Sequence, residues 1–204
     1  MTIKCALKHF ELRVTNAYGP QEYDSEDKKN HFWRYLDEEI LDCQVNGSLC
    51  MILMDANAWV GKKLLKRDVH SQNKNGLMFE NFMTRNSHLQ LLNNMDICED
   101  LITRSRNVNN RLEQSIIDFV VICDKLLPFT KKLLIDENKS YSLTNYSRRK
   151  KITHSDHNSL ILEIDLKIKP VKIDRKIIFN YRDEGSFLKF KKLHLRPNFL
   201  KVFF

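Results

Sequence analysis

No stretch of this 204-residue chain is apolar for long enough to span a bilayer as a helix. The first eight residues, Met1 to Lys8, lack the continuous apolar core of a secretory signal. No CxxC pair occurs among the five cysteines (Cys5, Cys43, Cys50, Cys98 and Cys123), so neither a zinc site nor a disulfide framework is expected. Their odd count reads as reduced, buried thiols in an intracellular setting, cytosolic or nuclear. Internal repeats and low-complexity tracts are missing as well, and the length is that of one substantial domain. Most of the chain also lacks an excess of either charge. Residues 1–166 carry 23 basic and 23 acidic side chains, whereas residues 167–204 carry 11 against 3, the whole of the net +8. A positive tail favours polyanions such as nucleic acid by releasing condensed counterions, and it equally describes a solvated linker.

What is present is an alternation of strand and helix patterns. Phe10, Leu12 and Val14 alternate with polar residues until Tyr18-Gly19-Pro20 breaks the segment, which predicts a strand ending in a loop. Phe32, Leu36, Ile40 and Cys43 recur at spacings of four, four and three, predicting an amphipathic helix that Ser25 can cap. Leu49 to Met54 is wholly apolar, as in a strand covered on both faces, and it ends at Asp55-Ala56-Asn57. A second helix is expected from Gly76 to about Leu89, then a short strand at Leu89 to Leu92. Ile116 to Ile122 reads as another apolar strand with Asp118 in its middle, and Leu160 to Leu166 as a further one. A polar loop from Asn138 ends in Arg148-Arg149-Lys150-Lys151, and the hydrophobic pattern weakens after Pro170. The expected division is a domain over residues 1–168 and a basic linker or tail over 169–204.

Strands with intervening helices predict an α/β domain. Three polar clusters stand at or in apolar strands: Asp55/Asn57, Asp118, and Asp156/His157. A buried carboxylate needs a partner, and strand ends that converge on one cleft are where α/β enzymes place chemistry. Singly, each cluster also reads as a satisfied structural group or a turn. Tyr18 could cap a turn, and His157 could be a surface histidine.

The order of motifs is more specific than any one of them. Asn16-Ala17-Tyr18-Gly19-Pro20, Asp55-Ala56-Asn57-Ala58, Ser115-Ile116-Ile117-Asp118-Phe119 and Ser155-Asp156-His157 follow one another along the chain. This order resembles the endonuclease/exonuclease/phosphatase superfamily, the deoxyribonuclease-I-like and apurinic-endonuclease-like enzymes, over roughly residues 10–166. Asn75-Gly76, Leu91-Leu92-Asn93 and Thr103 look most like the endonuclease domains of non-LTR retrotransposons. The resemblance implies a four-layer α/β/β/α sandwich and metal-assisted attack of water on a phosphodiester, with Mg²⁺ or Mn²⁺ as cofactor and DNA as partner. Neither an organic cofactor nor a membrane partner is implied.

By the same resemblance, Asp55 would handle the water proton or the leaving group, and Asn57 would hydrogen-bond the developing negative charge. His157 would contact the scissile phosphate, and Asp118 would orient its imidazole. Asp156 would help hold the metal, and Tyr18 would donate its hydroxyl to the phosphate. The family also carries an asparagine and a metal-binding glutamate upstream of the tyrosine motif. Here seventeen residues precede Tyr18, and Glu11 is the only acid among them. The expected consequence is an incomplete, N-terminally shortened sandwich with exposed sheet edges, weakened metal capture and impaired catalysis. Phe179-Asn180-Tyr181-Arg182-Asp183 and Phe187-Leu188-Lys189-Phe190 resemble the segment that links a retrotransposon endonuclease to its reverse transcriptase. Two other functions fit the same residues: a non-catalytic nucleic-acid-binding remnant, and a phosphatase of the superfamily acting on a small phosphoester.

Overall fold

The computed structural model describes residues 1–6, 10–138, 144–145, 153–166, 193–196 and 199–203. The basic run ending at Lys151, the Pro170 edge and the two aromatic segments between residues 179 and 190 lie outside them.

The strands are β1 (Thr2–Ala6), β2 (Glu11–Tyr18), β3 (Leu49–Asp55), β4 (Leu89–Leu91), β5 (Cys98–Glu99), β6 (Arg104–Val108), β7 (Arg111–Ser115), β8 (Asp118–Cys123) and β9 (Thr130–Ile135). They continue with β10 (Thr144–Asn145), β11 (Thr153–His154), β12 (Leu160–Ile164), β13 (Leu193–Arg196) and β14 (Phe199–Phe203). The helices are α1 (Glu26–Val45), α2 (Gly61–Leu64) and α3 (Lys74–Arg85). One five-stranded sheet runs β1-β2-β3-β8-β4 and a second runs β13-β14-β12-β9-β5. Strands β6 and β7 form a separate two-stranded ribbon, as do β10 and β11. Among the described residues no helix is long and apolar enough to cross a membrane.

Strands β2 and β3 are parallel. Parallel neighbours need a crossover, and α1 is that crossover. Ser25 caps α1 by accepting the Lys28 N–H, and Glu26 and Asp27 place negative charge at its positive end. The inward stripe of α1, Trp33, Leu36, Ile40 and Cys43, is buried. Trp33 stacks on Phe79 of α3 with ring centroids 5.4 Å apart, and Phe79 meets Phe119 of β8 edge-on at 5.1 Å. All seven residues of β3 are buried, as its unbroken apolar run requires. One continuous buried cluster contains residues of α1, α3 and both large sheets, including Leu133, Ile135, Leu160 and Leu162 of the second. The cysteines are free thiols, and four of the five are buried.

Three boundaries differ from the sequence expectation. Helix α3 starts at Lys74, because the Asn73 side chain accepts the Gly76 N–H at 2.8 Å and caps it. It ends at Arg85, because Asn86 leaves the helical region at φ −110° and ψ 58°. Strand β8 begins at Asp118, so this carboxylate stands at the strand's first position and not in its middle. Ile117, just before it, uses its carbonyl to accept the Ala56 N–H at 2.8 Å. In the second sheet β14 pairs antiparallel with β12, and β13 with β14.

Candidate active site

The register of the first sheet assembles the site. Tyr18 ends β2 directly beside Asp55, which ends β3, and Asp55 lies opposite Asp118, which begins β8. Three residues far apart in sequence therefore share one sheet edge. Like charges directly opposite on neighbouring strands repel, and both Asp55 and Asp118 are only 3% exposed. Such a pair persists only with compensation, and His157 supplies it. Its Nδ1 lies 3.0 Å from each carboxylate oxygen of Asp118. A carboxylate can only accept, so Nδ1 carries the proton and donates it. The other ring nitrogen, Nε2, lies 4.0 Å from Asp55 Oδ2, beyond hydrogen-bond range. The ligand atoms of Asp55, Asp118 and His157 all fall within 4.8 Å of one another.

Electrostatics follow from this packing. Burial, then the negative charge of Asp118, push the Asp55 pKa up from 3.8 to about 7. His157, the Asn57 N–H and Arg104 pull it the other way. For His157, burial alone would lower the pKa. The hydrogen bond and charge of Asp118, with the charges of Asp55 and Asp156, outweigh it and hold the imidazole above its ordinary 6.5.

The loops around this cluster are tied to one another. Asn57 donates its backbone N–H to Asp55 Oδ1 at 3.0 Å and its side-chain amide to the Gly19 carbonyl at 2.9 Å. Its φ of 46° is left-handed, a region asparagine tolerates better than most residues. Gly19 packs so tightly on the next loop that a Cβ would stand 2.6 Å from the Ala56 carbonyl oxygen. Only glycine fits there. Asn75, wholly buried, donates to the carbonyls of Pro20 at 2.7 Å and Asn57 at 3.0 Å. Tyr18 is 48% exposed, and its hydroxyl accepts from the Gln21 side chain at 2.8 Å.

His157 is carried by the segment before β12, which is pinned against the 102–105 segment. Asn158 donates its backbone N–H to the Thr103 carbonyl at 2.7 Å and its amide to the Ile102 carbonyl at 2.6 Å. Thr103 Oγ1 in turn accepts the N–H groups of Ile117 and Asp118 at 2.9 and 3.0 Å. Asn93 grips the other side of β8: its amide donates to the Asp118 carbonyl, and its Oδ1 accepts the Val120 N–H.

All six residues expected at the site therefore lie on this rim, but their contacts differ. Asp55, Asp118 and His157 converge. Asn57 joins through its backbone, and Tyr18 stands beside Asp55 in the sheet. Asp156 neighbours His157 in sequence, yet its carboxylate accepts from Arg104 Nε at 2.7 Å. Burial works to raise the Asp156 pKa, but the Arg104 bond and charge, with His157, hold it below the usual carboxylate value. Arg104, which forms a β-bridge with His157, escaped the sequence reading because nothing in its local pattern marks it. Glu11 is remote from the cluster. It starts the strand that Tyr18 ends, and its carboxylate accepts from Arg13 and Ser48.

No protein-family model and no curated protein sequence matches the chain. Among solved structures, the endonuclease domain of TRAS1, a telomere-specific non-LTR retrotransposon, aligns with TM-score 0.56 at 17% identity, over 81% of this chain and 63% of that one. The 3′ phosphatase NExo from Neisseria, bound to product DNA hairpin, aligns with TM-score 0.54 at 16% identity, over 80% of this chain and 64% of that one. The 3′-5′ exonuclease NExo from Neisseria meningitidis aligns with TM-score 0.51 at 16% identity, over 77% and 62%. The chain thus spans less than two thirds of each of these three structures. Identities this low speak to fold and not to activity. The chain shares the DNase I-like fold of these three structures.

Proposed function

We propose that this chain is a metal-assisted phosphodiesterase of the DNA-nicking, retrotransposon type, with Asp55, Asp118 and His157 as its hydrolytic centre. The observation that carries the reading is the convergence of two buried carboxylates and one imidazole on a single sheet edge. The likeness to a retrotransposon endonuclease domain and to a phosphatase bound to DNA supports it.

On this reading each residue has a distinct task. Asp118 holds His157 in one tautomer and stabilises its charged form, so that Nε2 serves the phosphate as a donor. Asp55, with a pKa near 7, changes protonation state at working pH and moves the proton of the attacking water or the leaving oxygen. Asn57 keeps the Asp55 loop in place, and its amide stabilises negative charge when it leaves the Gly19 carbonyl. The Tyr18 hydroxyl is a second donor.

The donor set fits a hard divalent cation. Asp118 is committed to His157 and Asp55 to the proton, which leaves the Asp156 carboxylate as the group that would hold Mg²⁺ or Mn²⁺. One or two carboxylates completed by water and substrate phosphate is an ordinary set for Mg²⁺. When bound, such an ion withdraws charge from a phosphoryl oxygen and acidifies water. A carboxylate shared with Arg104 would make capture weak, so activity would depend steeply on metal concentration.

The Arg104–Asp156 ion pair also favours a second reading. If the guanidinium keeps that carboxylate, the chain is a non-catalytic nucleic-acid-binding domain. Hydrolysis of bis(4-nitrophenyl) phosphate beside 4-nitrophenyl phosphate, with Mg²⁺ or Mn²⁺, separates the possibilities. Turnover of the diester that is lost in Asp55→Ala supports the proposal. Turnover of the monoester alone makes the chain a phosphatase, and turnover of neither leaves the binding domain.

A further inference from the structure

Trp59 lies two residues beyond Asn57, on the loop leaving β3, and keeps 44% of its surface exposed. Its ring stacks on His70, with centroids 5.2 Å apart and planes 25° from parallel. Both residues are held in place by hydrogen bonds. Asp68, wholly buried, accepts the backbone N–H and the ring Nδ1 of His70 at 2.9 Å each, and the Gly61 N–H at 3.0 Å. The Trp59 backbone is clamped to Asn73 from both sides: its N–H donates to Asn73 Oδ1 and its carbonyl accepts the Asn73 N–H, both at 3.1 Å. Gly76 closes in so far that a Cβ would stand 1.9 Å from the Trp59 carbonyl oxygen. An aromatic pair is thus held in place with Trp59 nearly half open to solvent, whereas the rings of Trp33, Phe79 and Phe82 are buried.

The segment that carries this pair is rich in basic side chains. Residues 57–75 carry five, Lys62, Lys63, Lys66, Arg67 and Lys74, all exposed, and their single acid, Asp68, is buried. Lys63 and Lys74 are paired with Glu80 and Glu26. Lys62 and Lys66 make no ion pair among the described residues, so the loop keeps a surplus of positive charge. Fixed aromatic faces interleaved with cations are how proteins hold unpaired bases, the rings taking the base and the cations the backbone phosphates.

We propose that the Trp59–His70 pair is a stacking platform for an unpaired nucleobase of single-stranded nucleic acid. It goes beyond the hydrolytic reading and does not require it, because none of the residues that form it belongs to the Asp55, Asp118 and His157 cluster.

The chain has two tryptophans, and Trp33 is only 3% exposed within the α1–α3 aromatic cluster, so quenching by a stacked base reports on Trp59. The test titrates the full chain, in EDTA to prevent cleavage, with fluorescein-free oligothymidylate of about ten nucleotides while following tryptophan emission. Affinity is read separately from the anisotropy of the fluorescein-labelled oligomer. Saturable quenching is expected, and Trp59→Phe should abolish it. Trp59→Ala and His70→Ala should each weaken binding by roughly 5- to 150-fold, the range for losing one stacked base. A duplex of the same length should quench less, and oligouridylate should quench as oligothymidylate does. The proposal is overturned if the oligomer does not bind, if it binds without quenching, or if duplex quenches equally. Unchanged affinity in Trp59→Ala and His70→Ala also overturns it. Trp33 emission and the melting curve report the fold of each variant, and Trp59→Phe carries the test if the alanine variants unfold. Stacking without hydrolysis leaves this platform standing and sinks the phosphodiesterase. Hydrolysis without stacking does the reverse.

Discussion

Replacing Asp55 by asparagine should stabilise this protein at alkaline pH while removing its activity. The side chain is 3% exposed, and its pKa is near 7 against 3.8 for an ordinary aspartate. Between those two values the folded state binds more protons than the unfolded state, so stability falls as pH rises through the window from about 4 to 7. Each pKa unit is worth 1.36 kcal/mol, which sets the cost of ionising Asp55 in the fold at about 4 kcal/mol as an upper figure. Asparagine is nearly isosteric, keeps an oxygen to accept the Asn57 N–H, and carries no charge to repel Asp118. In EDTA, Asp55→Asn should match wild type within about 1 kcal/mol near pH 4 and exceed it by about 2–4 kcal/mol at pH 8. At this chain size each kcal/mol moves the melting temperature by about 2–4 °C, so the difference is measurable by thermal unfolding at the two pH values. An offset that does not change with pH would refute the reasoning, as would a variant less stable than wild type at pH 8. Such a result would mean that Asp55 is not buried against Asp118.

Three further outcomes follow from the geometry. Thr103→Val keeps the shape but removes the oxygen that accepts the Ile117 and Asp118 N–H groups, and should cost about 1–3 kcal/mol for each orphaned donor in urea unfolding. Gly76→Ala places a methyl 1.9 Å from the Trp59 carbonyl oxygen, so α3 must move away from the loop. Its destabilisation should reach at least the usual overpacking cost of about 1–3 kcal/mol, and a neutral melting curve would show that the two backbones do not meet. Arg104→Ala releases Asp156 from a partly exposed ion pair worth up to about 1 kcal/mol, so Mn²⁺ binding followed by electron paramagnetic resonance should tighten by up to about fivefold. Weaker Mn²⁺ binding in that variant would place the metal elsewhere.

The fold was legible where one local pattern dominates. The unbroken apolar run of β3 and the 3.6-residue stripe of α1 each have a single reading, and Ser25 marks its helix start by its chemistry. Boundaries that depend on a cap across a loop were not legible, which is why α3 begins at Lys74 and not at Gly76. The β6–β7 ribbon escaped notice because its strands are largely exposed and show no apolar alternation. Its turn, Asn109-Asn110 with both φ positive, was the one available signal. At the site, the residue types and their order were visible, whereas the Asp118–His157 pairing came only from the family resemblance and the Arg104–Asp156 pairing from nothing in the sequence. His157 reaches Asp118 across 39 residues and Asp156 reaches Arg104 across 52, and no periodicity encodes contacts of that range. Asn75 and Asn93 stood out only through the resemblance, with no role attached, although both tie strand-end backbones together.

The central claim is that Asp55, Asp118 and His157 form a metal-assisted hydrolytic centre. Its most direct test is conversion of supercoiled plasmid to open circles by the purified chain over a series of Mg²⁺ and Mn²⁺ concentrations, beside an Asp55→Ala/His157→Ala variant of matched fold. The account predicts nicking that rises with metal, disappears in EDTA and is absent in the variant. A folded wild-type chain that binds the plasmid and leaves it supercoiled at every metal concentration would contradict it.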